Sequence, residues 1–370
     1  MSLERVFMDS SPPVEILSNI ADTDERSCRI TAERQGRIGA RMGRIALAAA
    51  IVGLAAAVAG AVDARPTVEG PEVAIFYYTW WGTPASDGAW QHWDQAGSAP
   101  PATIASSFYP ARGAYSSADP AVVKAQMREI VRAGVDTVVL SWWGPGSAED
   151  VRLRPTAELA RSAGLGVAVH VEPWPGRTAA ATVEAVRGLA ADGFRDFYVY
   201  DSTIVPDDDW NEALRELDGV RVLANTWLPG RAARAGFDGL YSYDVLVHDG
   251  RSFARVCAAA RRLGLLCAPS VGPGFDGSRA TPVAAVAGRR GGKRYDALWR
   301  SASRARPDVV TITSYNEWHE GTQIEPALDV PGYRSYEGAW GRHGAEATTA
   351  YLDRTREWVA RMRALPVAAR

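Results

Sequence analysis

The chain has 370 residues, 47% of them hydrophobic, and a formal charge of −2. That length and apolar content suit one large domain or two ordinary ones, and exclude a disordered or fibrous chain. The near-balanced charge supplies no basic field, so nucleic acid is not an expected partner.

The first 64 residues differ from the rest. Arg37, Arg41 and Arg44 lead into an uncharged apolar run over 45–62, which ends in small residues before Arg65. A basic stretch, an apolar core and a small-x-small end describe a cleaved export signal. An uncleaved membrane anchor is the alternative, because 18 residues lie near the lower limit for spanning. Met42 is an alternative start to Met1. Residues 1–44 carry no catalytic pattern and read as an extension, 45–64 as the signal and cleavage region, and 70–366 as the folded domain. A secreted or cell-surface protein is expected, touching a membrane only if 45–62 is retained.

From residue 70, apolar runs alternate with helical patterns. The runs lie at 72–80, 135–143, 165–173, 194–202, 221–227, 239–245, 265–271 and 308–318, which makes eight. Between the first two, Val122, Val123, Met127, Ile130 and Val131 recur at helical spacing, with Asp119 as N-cap, Pro120 at the first position and Gly134 as stop. Similar helical units fall at 154–164, 178–193 and 250–264. Near-continuous apolar strands separated by helices predict a parallel sheet covered on both faces, and eight such units predict a (β/α)8 barrel. A doubly wound sheet would usually carry a phosphate loop after its first strand, and YYTWWGTP is not one. GPGFDG at 272–277 is read as an irregular loop, since it comes late and contains Pro273. Cys28, Cys257 and Cys267 lack zinc-ligand or CxxC spacing and are expected as small buried residues; a Cys257–Cys267 disulfide is possible but has no support in the spacing.

In a barrel, chemistry belongs at the C-terminal ends of the strands. Those ends carry Tyr77, Tyr78, Trp80 and Trp81; Trp142 and Trp143; His170, Glu172 and Trp174; Tyr200 and Asp201; Asn225 and Trp227; Tyr241, Tyr243 and Asp244; and Tyr315 to Glu320. With Trp90 and Trp93 in the first loop, nine of the 13 tryptophans lie at or just after strand ends. Aromatic platforms mixed with carboxylates and amides suit a sugar, which offers apolar C–H faces and many hydroxyls. Cleavage of a glycosidic bond normally needs two carboxyl groups, one protonated and one ionised. In TSYNEWHEGTQIEPA (313–327), Glu317 and Glu320 are the leading pair: a helical turn there would place them on one face and push their pKa values apart. Glu325 could hold another group in place or sit on an exposed loop. HEGTQ has Gln323 where a zincin needs its second histidine, no GxSxG is present, and no metal or organic cofactor is expected.

FYYTWWGTP, QHWD, SSFYPARGAYSSADP, VVLSWWGPG, HVEPWPGR, YVYDS and TSYNEWHEGTQIEPA together resemble glycoside hydrolase family 99, the endo-α-mannosidases and endo-α-mannanases, over roughly residues 72 to 360. The resemblance implies a (β/α)8 barrel and retaining, endo-acting hydrolysis of an α-1,2-mannosidic bond with release of a disaccharide. It gives Glu317 the role of base on the sugar's own 2-hydroxyl, forming a 1,2-anhydro sugar, and Glu320 that of acid/base. Tyr78, His92, Trp93, Trp142, Trp143, Glu172, Arg177, Asp201 and Tyr243 would line the sugar subsites. Tyr77, Trp80, Tyr315, Asn316, Trp318, His319, Gln323 and Glu325 are further substrate-binding candidates. Trp174 stands where the family favours tyrosine and Thr83 where asparagine is frequent, so either glucose or mannose is left open for the outermost subsite. The partner implied is a mannose-containing oligosaccharide or polysaccharide, bound by a monomer. Another α-glycan as substrate, or a non-catalytic glycan-binding barrel, are the alternatives.

Overall fold

The computed structural model describes residues 70–281 and 285–364; the expected leader over 1–64 lies outside them. Eight strand positions form a parallel barrel: β1 Glu72–Tyr77, β2 Thr137–Trp142, β3 Gly166–Val171, β4 Asp196–Val199, β5 Arg221–Asn225, β6 Gly239–Tyr241, β7 in two pieces, Leu266–Ala268 and Ser270–Val271, and β8 Val309–Ile312. Pro269 explains the break in β7, because proline has no N–H for the ladder. The first piece pairs with β6 and the second with β8, and β8 pairs with β1, which closes the sheet.

Each strand is followed by a helix: α1 Pro120–Arg132, α2 Ala148–Ser162, α3 Ala179–Ala191, α4 Asp207–Leu214, α5 Pro229–Arg234, α6 Phe253–Arg262, α7 Lys293–Ala305 and α8 Ala350–Arg363. The start of α1 follows the sequence closely, with the Asp119 side chain accepting from the Ala121 N–H at 2.8 Å and Pro120 at the first position. Its inward face differs from the expected one. Val123, Gln126, Met127 and Ile130 are buried, whereas Val131 is 42% exposed. At 3.6 residues per turn Gln126 shares the face of Val123 and Ile130, and a polar residue on a buried face signals a partner waiting there.

Strand alternation divides the side chains into two sets. Ala74, Phe76, Tyr78, Val139, Ala168, Tyr198, Leu223, Tyr241, Tyr243, Ala268 and Val309 fill the barrel interior. Val73, Ile75, Tyr77, Val138, Leu140 and Trp142 belong to the larger core between sheet and helices.

Cys257 on α6 and Cys267 on β7 are joined by a disulfide, with their Cα atoms 5.2 Å apart. This corrects the expectation of two unlinked small residues; both are buried, but helix and strand also bring the sulfurs together. Replacing both by serine is expected to cost about 2–3 kcal/mol, the chain-entropy value for a short loop, read as a lower urea midpoint.

Candidate active site

Strand alternation decides which strand-end residues face the barrel mouth. Tyr78 continues the interior row of β1 and Tyr243 that of β6, and their hydroxyls hydrogen-bond at 2.5 Å. Glu172, two residues beyond the inward His170, accepts from Ser141 Oγ at 3.0 Å and is almost fully buried. His170 Nδ1 lies 2.8 Å from the same carboxylate at an angle that makes no hydrogen bond, while its Nε2 bonds the Tyr241 hydroxyl at 2.8 Å. Asp201 is half-buried in the left-handed region (φ 46°), and burial raises its pKa. Arg177 is tied to the Tyr200 and Asp201 carbonyls at 2.8 and 3.2 Å.

One wall is aromatic. The Trp80 ring stacks on His92, centroids 4.8 Å apart and 13° from parallel, and lies 6.0 Å from Trp143, which is 36% exposed. The His92 carbonyl bonds His319 Nε2 at 2.8 Å, so His319 carries its proton there. Burial lowers both imidazoles, His92 to about 3 and His319 to about 4, so both are neutral at working pH. A stacked neutral face beside exposed indole is suited to sugar C–H groups and carries no charge of its own.

The segment after β8 folds back on itself. Ser314 N–H donates to the Thr322 carbonyl, and Ile324 and Glu325 N–H to the Ser314 and Tyr315 carbonyls. Between them the chain makes a tight turn, Gly321 N–H to Trp318 O at 3.3 Å, rather than the helical turn expected. Gly321 permits it: its φ is +62°, and a Cβ would lie 2.9 Å from the Asp276 carbonyl. Glu317 is enclosed; its Oε1 accepts from the His319 N–H at 3.0 Å, while Oε2 has no hydrogen-bond partner among the described residues. Glu320 is half-buried and bonds the Tyr243 hydroxyl. Burial, then Asp244 and Glu172, push Glu320 up to about 8, and burial with Glu320 pushes Glu317 up as well. The His319 and Glu320 backbone N–H groups favour the charged form of Glu317 and offset part of that rise. Two neighbouring carboxyls with raised pKa values can divide into an ionised base and a protonated acid. Among the described residues no group of His, Cys, Asp and Glu side chains is arranged to hold a metal.

Residues 70–364 match the model of Glycosyl hydrolase family 99. The chain belongs to that family. A glycoprotein endo-alpha-1,2-mannosidase-like protein of Danio rerio is 31% identical across 78% of this chain and 77% of its own. The glycoprotein endo-alpha-1,2-mannosidase of Xenopus laevis is 30% identical across 78% and 76%. Among solved structures, the family 99 endo-alpha-mannosidase from Bacteroides thetaiotaomicron superposes with a TM-score of 0.70 at 28% identity, covering 79% of this chain and 97% of that one. The protein is a glycoside hydrolase with the (β/α)8 architecture of family 99.

Several residues expected to touch substrate are buried in protein contacts in this family 99 barrel. Trp93 is fully enclosed, stacked 3.9 Å from Trp81. Trp142 points outward, bonding Asp150 at 2.8 Å and meeting Trp174 edge-on. Tyr77 and Tyr315 also point outward, donating to Gln126 and to Glu129. Trp318, Gln323 and Glu325 are completely buried. Asn316 is buried too and clamps strand β1, accepting from the Tyr78 N–H at 2.7 Å and donating to the Tyr78 carbonyl at 2.8 Å. All eight side chains are buried, with at most 2% exposure. Conversely Ser141 and Ser314 act on the carboxylates although they were not singled out as candidates, and Asp244, named only as a strand-end residue, raises Glu320; Ser314 Oγ accepts from the Glu317 N–H at 2.9 Å. Alternation could have found Ser141, which pairs in register with His170.

Adjacent tryptophans should therefore respond differently. Trp142→Ala is expected to lose about 3–5 kcal/mol of stability through the cavity it leaves. Trp143→Ala should unfold as the wild type does, within about 0.5 kcal/mol, while raising KM. Paired urea titrations and steady-state kinetics separate the two.

Proposed function

We propose that this family 99 enzyme is an endo-acting α-1,2-mannosidase that releases a disaccharide from a mannose-containing chain with retention of configuration. The observation that carries the reading is the Glu317–Glu320 pair: one carboxylate enclosed with an unpartnered oxygen and backbone N–H donors, the other held by Tyr243 and pushed up to about 8. Glu317 takes the proton of the 2-hydroxyl on the reacting mannose, and O2 attacks C1 from the face opposite the departing oxygen. The C1–O bond breaks as Glu320 gives its proton to that oxygen, leaving a 1,2-anhydro sugar. Glu320, now a carboxylate, takes a proton from water; the water oxygen attacks C1, the C1–O2 bond breaks, and O2 recovers its proton from Glu317. In an α-mannoside O2 and the leaving oxygen are both axial and anti, as two displacements with net retention require.

The relatives named as endo-alpha-1,2-mannosidases support the choice of bond, and the stacked Trp80–His92 face with Trp143 supports a sugar ligand. The Cys257–Cys267 disulfide supports an oxidising compartment, in line with export by the 45–62 segment. Mass spectrometry of products from α-mannan and from a glucosylated mannose oligosaccharide tests the reading. A disaccharide is expected from one or both, and its composition identifies the outermost sugar; no disaccharide from either at any pH would overturn it.

A further inference from the structure

The least expected part of the 313–327 segment is Glu325. Its carboxylate is completely enclosed and accepts four hydrogen bonds, from Gln126 Nε2 at 2.8 Å and Arg112 Nε at 3.2 Å on Oε1, and from the Tyr115 hydroxyl at 2.7 Å and Trp318 Nε1 at 2.9 Å on Oε2. A carboxylate has about four acceptor positions, so this set is saturated. None of the donors can reverse its role. Arginine and indole nitrogens only donate, the Gln126 oxygen already accepts from Tyr77, and the Tyr115 oxygen already receives Asn316 Nδ2 at 3.3 Å and a share of the Trp318 Nε1 proton at 3.2 Å. A proton on Glu325 therefore displaces one donor, leaving a buried N–H or O–H without a partner.

What those donors hold is the catalytic turn. Trp318 lies between Glu317 and Glu320. Tyr115 meets Asn316, which grips the Tyr78 backbone, and the Tyr78 hydroxyl bonds Tyr243, the partner of Glu320. On the other side of the turn, Arg289 donates to the Gly321 and Gln323 carbonyls at 2.9 and 2.7 Å, so the turn is held from both flanks. We propose that Glu325 is a positioning residue for the Glu317–Glu320 pair, holding it in register only while ionised, so that protonation of this remote carboxylate loosens the turn and lowers turnover. The proposal rests on the catalytic reading above.

The groups facing Glu325 decide whether it titrates in a useful range. Arg112, from the loop before α1, is a cation shared with Glu129 of α1, and Glu129 in turn accepts from Tyr315. One cation thus serves two carboxylates. Tyr77 of β1, Tyr115, Tyr315 and Tyr336 complete the surroundings, and burial raises all four phenols, so they stay neutral donors. Burial pushes Glu325 up, while Gln126, Arg112 and Tyr115 pull it back, to about 7. Glu325 is ionised above that pH and protonated below it.

Neutral glutamine mimics the protonated acid at the same size. Relative to wild type, Glu325→Gln should lower kcat by about ten- to a hundredfold at about pH 8.5, with KM within about twofold, because a small misplacement of reacting groups costs rate. The ratio of the two kcat values should shrink toward one by about pH 5.5, where the wild type itself carries the proton. Tyr115→Phe is the second variant, should Glu325→Gln fold poorly. It removes a hydrogen bond that favours the ionised form, so the acid limb of kcat should move to higher pH. A kcat ratio independent of pH, Glu325→Gln within about twofold of wild type at pH 8.5, or an unmoved limb in Tyr115→Phe would overturn the positioning role while leaving the catalytic reading intact. A wild type that turns over no α-mannoside would overturn both.

Discussion

Glu320→Gln is expected to lower kcat for a natural α-mannoside by about 10²- to 10⁴-fold, the usual worth of a general acid, while leaving substrate binding unchanged. The side chain keeps its size and its place against Tyr243 but has no proton to give. An activated leaving group such as fluoride needs little protonation, so the first step on such a substrate should be largely restored, which separates acid catalysis from misfolding. The wild-type rate should fall as pH rises through about 8, where Glu320 loses its proton, and the variant should lack that limb. The same shift has a sign for stability. A carboxyl raised from 4.5 to about 8 binds its proton more tightly in the folded state, so its contribution is present below 4.5 and is lost as pH rises through 8. Glu320→Gln is therefore expected to melt higher than wild type at alkaline pH and to lose that advantage in acid, as calorimetry at two pH values would reveal.

Glu317→Gln should cost about as much on the natural substrate and should not be restored by fluoride, because without a base O2 stays protonated whatever the leaving group is. Parallel kinetics of both variants on both substrates would assign the roles. Restoration of Glu317→Gln by fluoride, with none for Glu320→Gln, would exchange the assignments. In the proposed division, the backbone N–H groups of His319 and Glu320 favour charge on Glu317, while Asp244 and Glu172 favour the proton on Glu320.

The barrel was legible in the sequence because its strands are buried on both faces and so read as continuous apolar runs, with glycine or proline between units. The break at Pro269 is visible in retrospect, since a proline in a run read as a central strand interrupts the ladder. Placement of side chains at the strand ends was legible only in part. Tyr77 and Tyr78, or Trp142 and Trp143, look alike in composition, and one step of alternation sends one outward and the other to the mouth. The enclosure of Trp93 by Trp81 and of Glu325 by Arg112, Tyr115 and Gln126 depends on residues up to 213 positions away in the chain. No local pattern reports such a contact. Gln126 on the buried face of α1 was the one hint available, and it points to the Glu325 network rather than to the sugar.

The account stands on Glu317 working through the substrate's own 2-hydroxyl, and one measurement reaches that claim directly. An α-1,2-linked oligosaccharide whose reacting mannose carries hydrogen in place of that hydroxyl should bind with near-normal affinity and release no disaccharide, because no nucleophile is left at C2. Cleavage at a rate comparable to the parent sugar, with or without a glycosylated enzyme carboxylate, would contradict the account and make Glu317 a direct nucleophile instead.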